Sequence, residues 1–385
     1  MARSVVTSFK GLHSQPIPSR PANQPVGKQR RPIGDPVAVP KQPLRYEAIP
    51  TAPGANLQLP LELVAPQIAN DATTAGTLVF HCVGDTGGIH GDATQIAIAE
   101  AMEQQFGQGP VKPAFLYHLG DVIYFNGQSI MYKAQFYEPY QYYPGLIFAV
   151  PGNHDGDTSV RPGDQPDTEP SLTGFMRNFC DTVARSVPYR NTMTQPYVYW
   201  TLEAPFVTIV GLYSNVEGCL DPRGKSQQQA WLTDQLGQAP PDKKLIVAVH
   251  HPCYSLDGTH GGCPDVLIAL DRAMASAKRI PDAVLSGHVH NYQRFSRKIG
   301  TRQVPYIVAG AGGYANDARS MHRLQSGLQL KLPFQTAHPD VKLISTNWQD
   351  PGFLRVTVTK QSLTFEYFLV PFDASGMKLF DTVKV

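Results

Sequence analysis

The chain has few cysteines, little net charge and no long apolar run. Five cysteines in 385 residues are too few for a disulfide framework, and their spacing fits no zinc ribbon. Cys253 and Cys263 flank one loop and could pair, but idle thiols are the favoured interpretation. A net charge of +2 argues against a general nucleic-acid-binding protein. The low net charge means that no nucleic-acid partner is expected. No segment approaches the ~18 apolar residues that cross a bilayer, so no membrane span is expected either.

The N-terminal part of the sequence differs in composition from the rest. Residues 1–50 contain eight Lys and Arg against two acidic residues, a net charge of +6 that leaves −4 for the remainder. Residues 1–45 are also rich in proline and poor in large apolar side chains, which predicts a disordered basic arm followed by a single folded domain over 46–385. The arm is interpreted as a solvated tail rather than a tether to an acidic surface. No apolar segment follows Met1, so an ordinary export signal is not expected, and the location is predicted as cytoplasmic or left open.

Short apolar segments that end in a glycine, a proline or a polar residue recur through the middle of the chain. They predict buried strands over 77–84, 116–124, 146–150, 245–249 and 283–286. Helices are predicted over 92–106, 130–140, 226–236 and 265–277. Further strands are predicted over 59–64, 198–202, 206–212, 306–309, 352–359 and 362–370. Alternating strands and helices followed by hairpins predict a mixed α/β fold, in which two mixed sheets pack together and helices cover them.

Polar side chains follow the ends of these strands, where ligands bind in open α/β sheets. They are Asp85, Asp121, Tyr124, Asn153, His154, His250, His251, His288 and His290. Oxygen and nitrogen donors without a thiolate suit iron, zinc or manganese. Two such ions about 3.5–4 Å apart can act together on a phosphoryl group. Asp121 is the candidate to bridge them.

The order of these motifs resembles the purple acid phosphatases, which belong to the calcineurin-like metallophosphoesterase superfamily. The motifs are Gly84-Asp85-Thr86-Gly87-Gly88, Gly120-Asp121-x-x-Tyr124-Phe125-Asn126-Gly127, Gly152-Asn153-His154-Asp155, Val247-x-x-His250-x-Pro252 and Gly287-His288-x-His290. The resemblance covers roughly residues 77–315. It implies a four-layer αββα sandwich of two mixed β-sheets flanked by helices. Because residues 1–75 are too short for the extra N-terminal domain of the plant-type members, the chain resembles the small, mammalian-like single-domain type.

The resemblance also implies two metal ions with defined ligands. One ion, Fe(III) in the family, is assigned to Asp85, Asp121, Tyr124 and His290. The second, a divalent Fe, Zn or Mn ion, is assigned to Asp121, Asn153, His250 and His288. Gly87 stands where most of the superfamily has a histidine, and the phenolate of Tyr124 favours a trivalent ion, so an iron-containing site is favoured over a wholly divalent Mn or Zn pair.

Four more roles are predicted around these ligands. The resemblance implies that His154 contacts the phosphate, and it suggests that His260 protonates the leaving group; an exposed loop histidine is the equal alternative for His260. His251 is expected beside the ligands, as a substrate-side residue that points away from them. Tyr292 either forms a wall of the substrate pocket or packs in the core.

The predicted function is hydrolysis of small-molecule phosphomonoesters through attack of a metal-bound hydroxide, as in an acid phosphatase. The alternative keeps the same site in a phosphodiesterase or nucleotide hydrolase. A rival of another class is a catalytically idle metal-binding scaffold whose basic arm recruits partners. The sequence predicts no oligomeric state.

Overall fold

Fifteen β-strands form two mixed sheets within the part of the chain that the structure describes. The structure is a computed structural model, and it describes residues 31–37, 48–159, 169–216, 220 and 227–385. The strands are β1 Gln58–Pro60, β2 Leu78–Val83, β3 Phe115–His118, β4 Leu146–Ala149, β5 Trp200–Ala204, β6 Val207–Leu212, β7 Lys244–Val249, β8 Ala283–Ser286, β9 Tyr292–Ile299, β10 Arg302–Ala309, β11 Phe334–Gln335, β12 Val341–Asn347, β13 Gly352–Val358, β14 Leu363–Leu369 and β15 Lys378–Lys384. The α-helices are α1 Leu61–Val64, α2 Pro66–Ala75, α3 Ala93–Gln104, α4 Asn153–Gly156, α5 Thr173–Phe179, α6 Gln227–Gln238 and α7 Pro264–Ala277.

Each sheet has a parallel part and an antiparallel part. The smaller sheet has the order β15-β14-β13-β2-β3-β4, and its strands β2, β3 and β4 are parallel. The larger sheet has the order β1-β5-β6-β7-β8-β10-β9-β12-β11, and β6, β7, β8 and β10 are parallel. Parallel neighbours end at the same edge of a sheet, so the loops that follow β2, β3 and β4 lie together, as do those that follow β7 and β8.

The two sheets pack face to face around aromatic side chains. Trp200 of β5 stacks on Tyr117 of β3 with ring centroids 6.0 Å apart, and its indole N–H donates to the carbonyl of Ala149 at 3.0 Å. Leu232 of α6 and Leu270 of α7 belong to a second apolar cluster on the other face of the larger sheet. Helix α3 packs on the smaller sheet, so the layers are helix, sheet, sheet and helix, which confirms the predicted fold class.

Most predicted strands and helices are confirmed, and the errors have physical causes. The predicted strand over 59–64 is wrong, because Pro60 ends β1 and helix α1 follows directly. Strands β9, β11, β12 and β15 were not predicted. In β9 buried and more exposed positions alternate from Gln293 to Ile299, but two of the buried positions hold the polar residues Gln293 and Arg297.

Residues 31–37 pack against the domain. The guanidinium of Arg31 donates to the carbonyls of Ser255 and Asp257, the latter at 2.7 Å, and Val37 pairs in parallel with Gly262. The disordered arm predicted over 1–45 is therefore wrong for residues 31–37. The rest of the predicted arm lies outside the described residues.

A disulfide and a membrane-spanning helix can both be looked for within the described residues. Cys82, Cys180, Cys253 and Cys263 form no disulfide there, so the pairing of Cys253 with Cys263 does not occur. Among the helices of the described ranges, none has the length and apolar composition needed to cross a bilayer.

A buried ion pair fixes helix α7 to strand β9. Arg297 and Asp271 are both fully buried, and the guanidinium donates to the two carboxylate oxygens at 2.5 and 2.9 Å. The Arg297 Nε also lies 3.2 Å from the Asp340 carboxylate, just before β12. A buried guanidinium requires such partners, because an unpaired charge in the interior costs several kcal/mol.

Removing one partner of this pair is expected to destabilise the domain more than replacing both. Asp271→Leu leaves the buried guanidinium with the Asp340 carboxylate as its remaining acidic partner, and should lower the free energy of unfolding by roughly 3–5 kcal/mol. The double variant Asp271→Leu/Arg297→Met removes the charge as well and should recover part of that loss. Urea unfolding of the three proteins measures the difference. A double variant less stable than Asp271→Leu alone would contradict the expectation.

Candidate metal centre

The candidate ligands lie on loops at the carboxyl edges of the parallel strands. Asp85 follows β2, and Asp121 and Tyr124 follow β3. Asn153 and His154 open α4 directly after β4, whereas His250 follows β7 and His288 and His290 follow β8. The site therefore takes side chains from both sheets and lies where their edges meet.

Three of these loops turn through left-handed backbone conformations. Asp85, Asp121 and His288 have φ values of 60°, 51° and 70°. Each such conformation costs a non-glycine residue roughly 1–2 kcal/mol. Hydrogen bonds from backbone N–H groups compensate: His288 donates to Asp85 Oδ2 at 2.7 Å, and His154 donates to Asp121 Oδ1 at 2.8 Å. Within the site, the strained conformations therefore occur at residues whose side chains turn inward.

Glycine is required where two of these loops approach each other. A Cβ on Gly152 would lie 2.1 Å from Asp121 Oδ1, which is far inside contact distance. Gly120 has a φ of 94°, and a Cβ there would lie 2.6 Å from the His250 ring. The glycines of the motifs therefore allow the backbone to come close to the candidate ligands.

Four donors form a first group around the hydroxyl of Tyr124. This oxygen lies 3.1 Å from Asp121 Oδ2, 3.3 Å from Asp85 Oδ1 and 3.3 Å from His290 Nε2. His290 Nε2 is in turn 3.5 Å from Asp85 Oδ1. Two ligands that each lie roughly 2.0–2.3 Å from one ion are separated by roughly 3–3.5 Å, so this spacing fits a single shared ion.

A second group shares the same carboxylate oxygen. Asp121 Oδ2 lies 3.3 Å from His250 Nε2, which is 3.1 Å from the side-chain oxygen of Asn153. One ligand atom each of Asp121, His250 and His288 lie within 4.8 Å of one another. Asp121 Oδ2 therefore lies between the two groups, where a bridging oxygen has to be.

The buried carboxyl groups of the site favour the binding of cations. Asp85 and Asp121 are almost completely buried. Burial raises the pKa of Asp85, and the neighbouring Asp121 charge raises it further. Burial also acts to raise the pKa of Asp121, but the His250 and His154 rings outweigh it and the net shift is downward. Two buried carboxyl groups this close can both be ionised only with positive charge near them, and their oxygen and nitrogen neighbours fit a pair of metal ions.

His154 lies beside the first group of donors, and one of its ring nitrogens already makes a hydrogen bond. Its Nδ1–H donates to the carbonyl of Phe125 at 2.6 Å, and its ring lies 4.5 Å from that of Tyr124. Nε2 is then an acceptor in the neutral ring and a donor in the imidazolium form. A phosphate oxygen at Nε2 would therefore be bound by the charged form.

Of the other three predicted residues, two lie at the site and one does not. His260 is about one-third exposed, and its ring centroid is 5.3 Å from that of His288. His251 is buried, bonds to the Ser214 hydroxyl at 2.7 Å and contacts the His288 ring at 4.4 Å. Tyr292 packs in the core instead: its ring stacks on Tyr367 at 3.9 Å and its hydroxyl donates to Asp381 at 2.7 Å. The interpretation of Tyr292 as a pocket wall is therefore corrected.

Asp155 supports the site but was given no role from the sequence. Its buried carboxylate accepts backbone N–H groups of Val122, Ile123 and Gly152 at 3.1, 3.3 and 2.7 Å. It therefore joins the loop after β3 to the loop after β4. Its place in the same motif as Asn153 and His154 was the available signal.

Two aromatic residues lie near the ligands, although the sequence around them did not indicate a place in the site. The ring of Tyr314 lies 4.1 Å from that of Tyr124, and the ring of His322 stacks on that of His290 at 4.0 Å. Both follow β10, outside the predicted motifs. His118 of β3 is buried in the core, and burial lowers its pKa to about 3.

Comparison with known proteins identifies related plant enzymes. The chain is 25% identical over 134 residues to Purple acid phosphatase 21 of Arabidopsis thaliana, a match that covers 33% of this chain and 29% of that protein. Purple acid phosphatase 22 of the same plant is 26% identical over 137 residues, covering 33% and 30%. The chain thus matches less than a third of the length of these relatives. The small single-domain type therefore stays a prediction.

Similarity to solved structures supports the fold. The purple acid phosphatase PPD1 from yellow lupin (Lupinus luteus) seeds aligns with a TM-score of 0.55 at 17% identity, over 80% of this chain and 53% of that one. The family model described as calcineurin-like phosphoesterase matches residues 78–292, a span that contains every candidate ligand, and the family implies a binuclear metal centre. Because this match extends over more than half of the sequence, the chain belongs to the calcineurin-like phosphoesterase family.

Proposed function

We propose that the chain is a binuclear-metal acid phosphatase that hydrolyses small-molecule phosphomonoesters. The observation that supports this best is the position of Asp121 Oδ2, 3.1 Å from the donor atom of Tyr124 and 3.3 Å from that of His250. In this proposal Asp85, Asp121, Tyr124 and His290 hold Fe(III), and Asp121, Asn153, His250 and His288 hold a divalent Fe, Zn or Mn ion. When bound, the two ions supply a nucleophilic water at neutral pH and neutralise charge on the phosphoryl oxygens.

The side chains around the ions divide the remaining work. His154 binds a phosphoryl oxygen through Nε2, since Phe125 fixes the ring by accepting its Nδ1–H. A donor placed this way stabilises the negative charge that grows in the transition state. His260 lies next to His288 and donates a proton to the departing alcohol.

The proposal favours an enzyme over an idle scaffold because every predicted donor lies within the site. A related fold does occur in a protein described as an anchor, GAP50 of the Plasmodium inner membrane complex, with a TM-score of 0.55 at 16% identity. A scaffold would not need His154 beside the first group of donors.

Replacing His154 should reduce turnover without emptying the site. His154→Ala removes a donor to the phosphoryl group and should lower kcat for an aryl monophosphate by about 10²–10³-fold, with metal content unchanged. His90→Ala is a matched control, because His90 is an exposed histidine outside both groups of donors. An unchanged kcat in His154→Ala would reject its role.

Wild-type rates on the matching aryl diester that exceed those on the monoester would favour the phosphodiesterase alternative.

Replacing Tyr124 tests the iron assignment. A phenolate bound to Fe(III) absorbs visible light, so purified protein should be coloured and Tyr124→Phe should be colourless or strongly bleached. Metal analysis should show iron in the wild-type protein and less in the variant. Colourless wild-type protein with two equivalents of Zn or Mn would contradict Fe(III) at this position.

Replacing His260 should affect poor leaving groups most. A general acid contributes about 10²–10⁴-fold when the departing alcohol is a strong base and little when it is a stable phenolate. His260→Ala should therefore slow hydrolysis of an alkyl phosphate far more than that of nitrophenyl phosphate. Equal losses on both substrates would show that His260 does not protonate the leaving group.

A further inference from the structure

The two histidines His250 and His290 differ in how their rings are oriented. A histidine that binds a metal almost always donates its other ring N–H to a carbonyl or a carboxylate, which fixes the ring plane. His250 follows this rule, since its Nδ1–H donates to the carbonyl of Leu119 at 2.9 Å. His290 Nδ1 is buried and has no hydrogen-bond partner among the described residues. Something else must therefore hold the His290 ring.

The ring of His322 is the group that meets this need. It stacks on His290 with centroids 4.0 Å apart and an interplanar angle of 15°. Tyr314 also contacts the His290 ring, at 4.6 Å and a tilt of 56°. The close, nearly parallel stack with His322 restricts rotation of the His290 ring about its side-chain bonds, because rotation would drive one ring into the other.

His322 is itself tied to the loop that carries His290. Its backbone N–H donates to the His290 carbonyl at 3.2 Å, and its Nδ1 accepts the His290 backbone N–H at 3.1 Å. The Asn291 side chain donates to the His322 carbonyl at 2.8 Å. Three hydrogen bonds therefore fix the position of His322 relative to residues 290 and 291.

We infer that His322 is the positioning residue of His290, and that its ring stack takes the place of the missing hydrogen bond. The stack continues outward, because the His260 ring lies parallel to His322 at 4.4 Å and 9°. His322 thereby links the metal side of the site to the residue proposed for the leaving group. The inference rests on the proposed metal assignment of His290.

A separate ion at this cluster is the competing interpretation. One ligand atom each of Asp257, His260 and His322 lie within 4.8 Å of one another. However, His322 Nδ1 already accepts the His290 N–H, so the neutral ring carries its proton on Nε2 and has no free lone pair there. The hydrogen bonding therefore favours the positioning role.

Three substitutions separate the ring from its hydrogen bond. His322→Phe keeps an aromatic ring but cannot accept the His290 N–H, His322→Asn keeps an acceptor in place of Nδ1 but has no ring, and His322→Ala lacks both. The measurement is Zn²⁺ affinity of chelator-treated protein, by competition with a chromophoric chelator, with His90→Ala as the control. The wild-type protein should bind two equivalents.

Ring positioning predicts that His322→Ala and His322→Asn each weaken one of the two equivalents by about 10–100-fold, the loss expected when the support of a ligand is removed. His322→Phe should stay within about threefold of the wild-type affinity. Unchanged affinity in His322→Ala, or rescue by Asn instead of Phe, would overturn the inference. The inference would also be overturned if the wild-type protein bound a third equivalent of Zn²⁺ that the His322 variants lose. That result would assign the cluster of Asp257, His260 and His322 to a separate ion.

Measuring Zn²⁺ affinity tests this inference independently of the phosphatase proposal. Wild-type protein that binds two ions and hydrolyses no phosphoester would reject the proposed function and leave the role of His322 intact. An active enzyme whose His322 variants all bind Zn²⁺ normally would reject the positioning role alone.

Discussion

Two carboxylates buried against each other determine the architecture of the site. Asp85 and Asp121 end adjacent parallel strands of the smaller sheet, and the Tyr124 hydroxyl lies between them. Such a pair is unfavourable unless a cation compensates it, so the surrounding backbone has to hold the two side chains in place against repulsion. The left-handed conformations at both aspartates, the glycines where the loops meet and the N–H groups aimed at the carboxylates serve this purpose.

The same constraint links the two sheets. The smaller sheet supplies Asp85, Asp121 and Asn153, whereas His250, His288 and His290 come from the larger one. The cross-sheet hydrogen bonds, from His288 to Asp85 and from His250 to Leu119, hold the two edges together before any ion is considered. An ion bound by donors of both sheets stabilises the folded state by an amount that grows with the logarithm of its affinity, since the unfolded chain has no such site. Metal binding and domain stability are therefore coupled through the sheet edges.

What could be predicted from the sequence is what leaves a local pattern. An apolar strand that ends in a glycine or directly in a polar residue places polar side chains at a sheet edge, and every candidate ligand follows such a strand. Arg297 concealed β9, because the charge of a buried arginine is compensated by Asp271, 26 residues earlier in the chain. Residues 31–37 look unable to fold by composition, yet they pack on a loop more than 200 residues away. Contacts of this range leave no periodicity to detect.

His322 illustrates why the supports of a site are harder to predict than its ligands. A ligand is constrained to a few residue types, but its ring can be oriented by a carbonyl, as for His250, or by a neighbouring ring, as for His290. The supporting residue lies 32 positions after His290 and joins it through one backbone hydrogen bond, which any residue except proline can form, and one that its own ring nitrogen accepts. Because the stack continues to His260, displacement of the loop that carries residue 322 would alter metal geometry and leaving-group protonation together. The two halves of the proposed reaction thus share one support, the ring of His322.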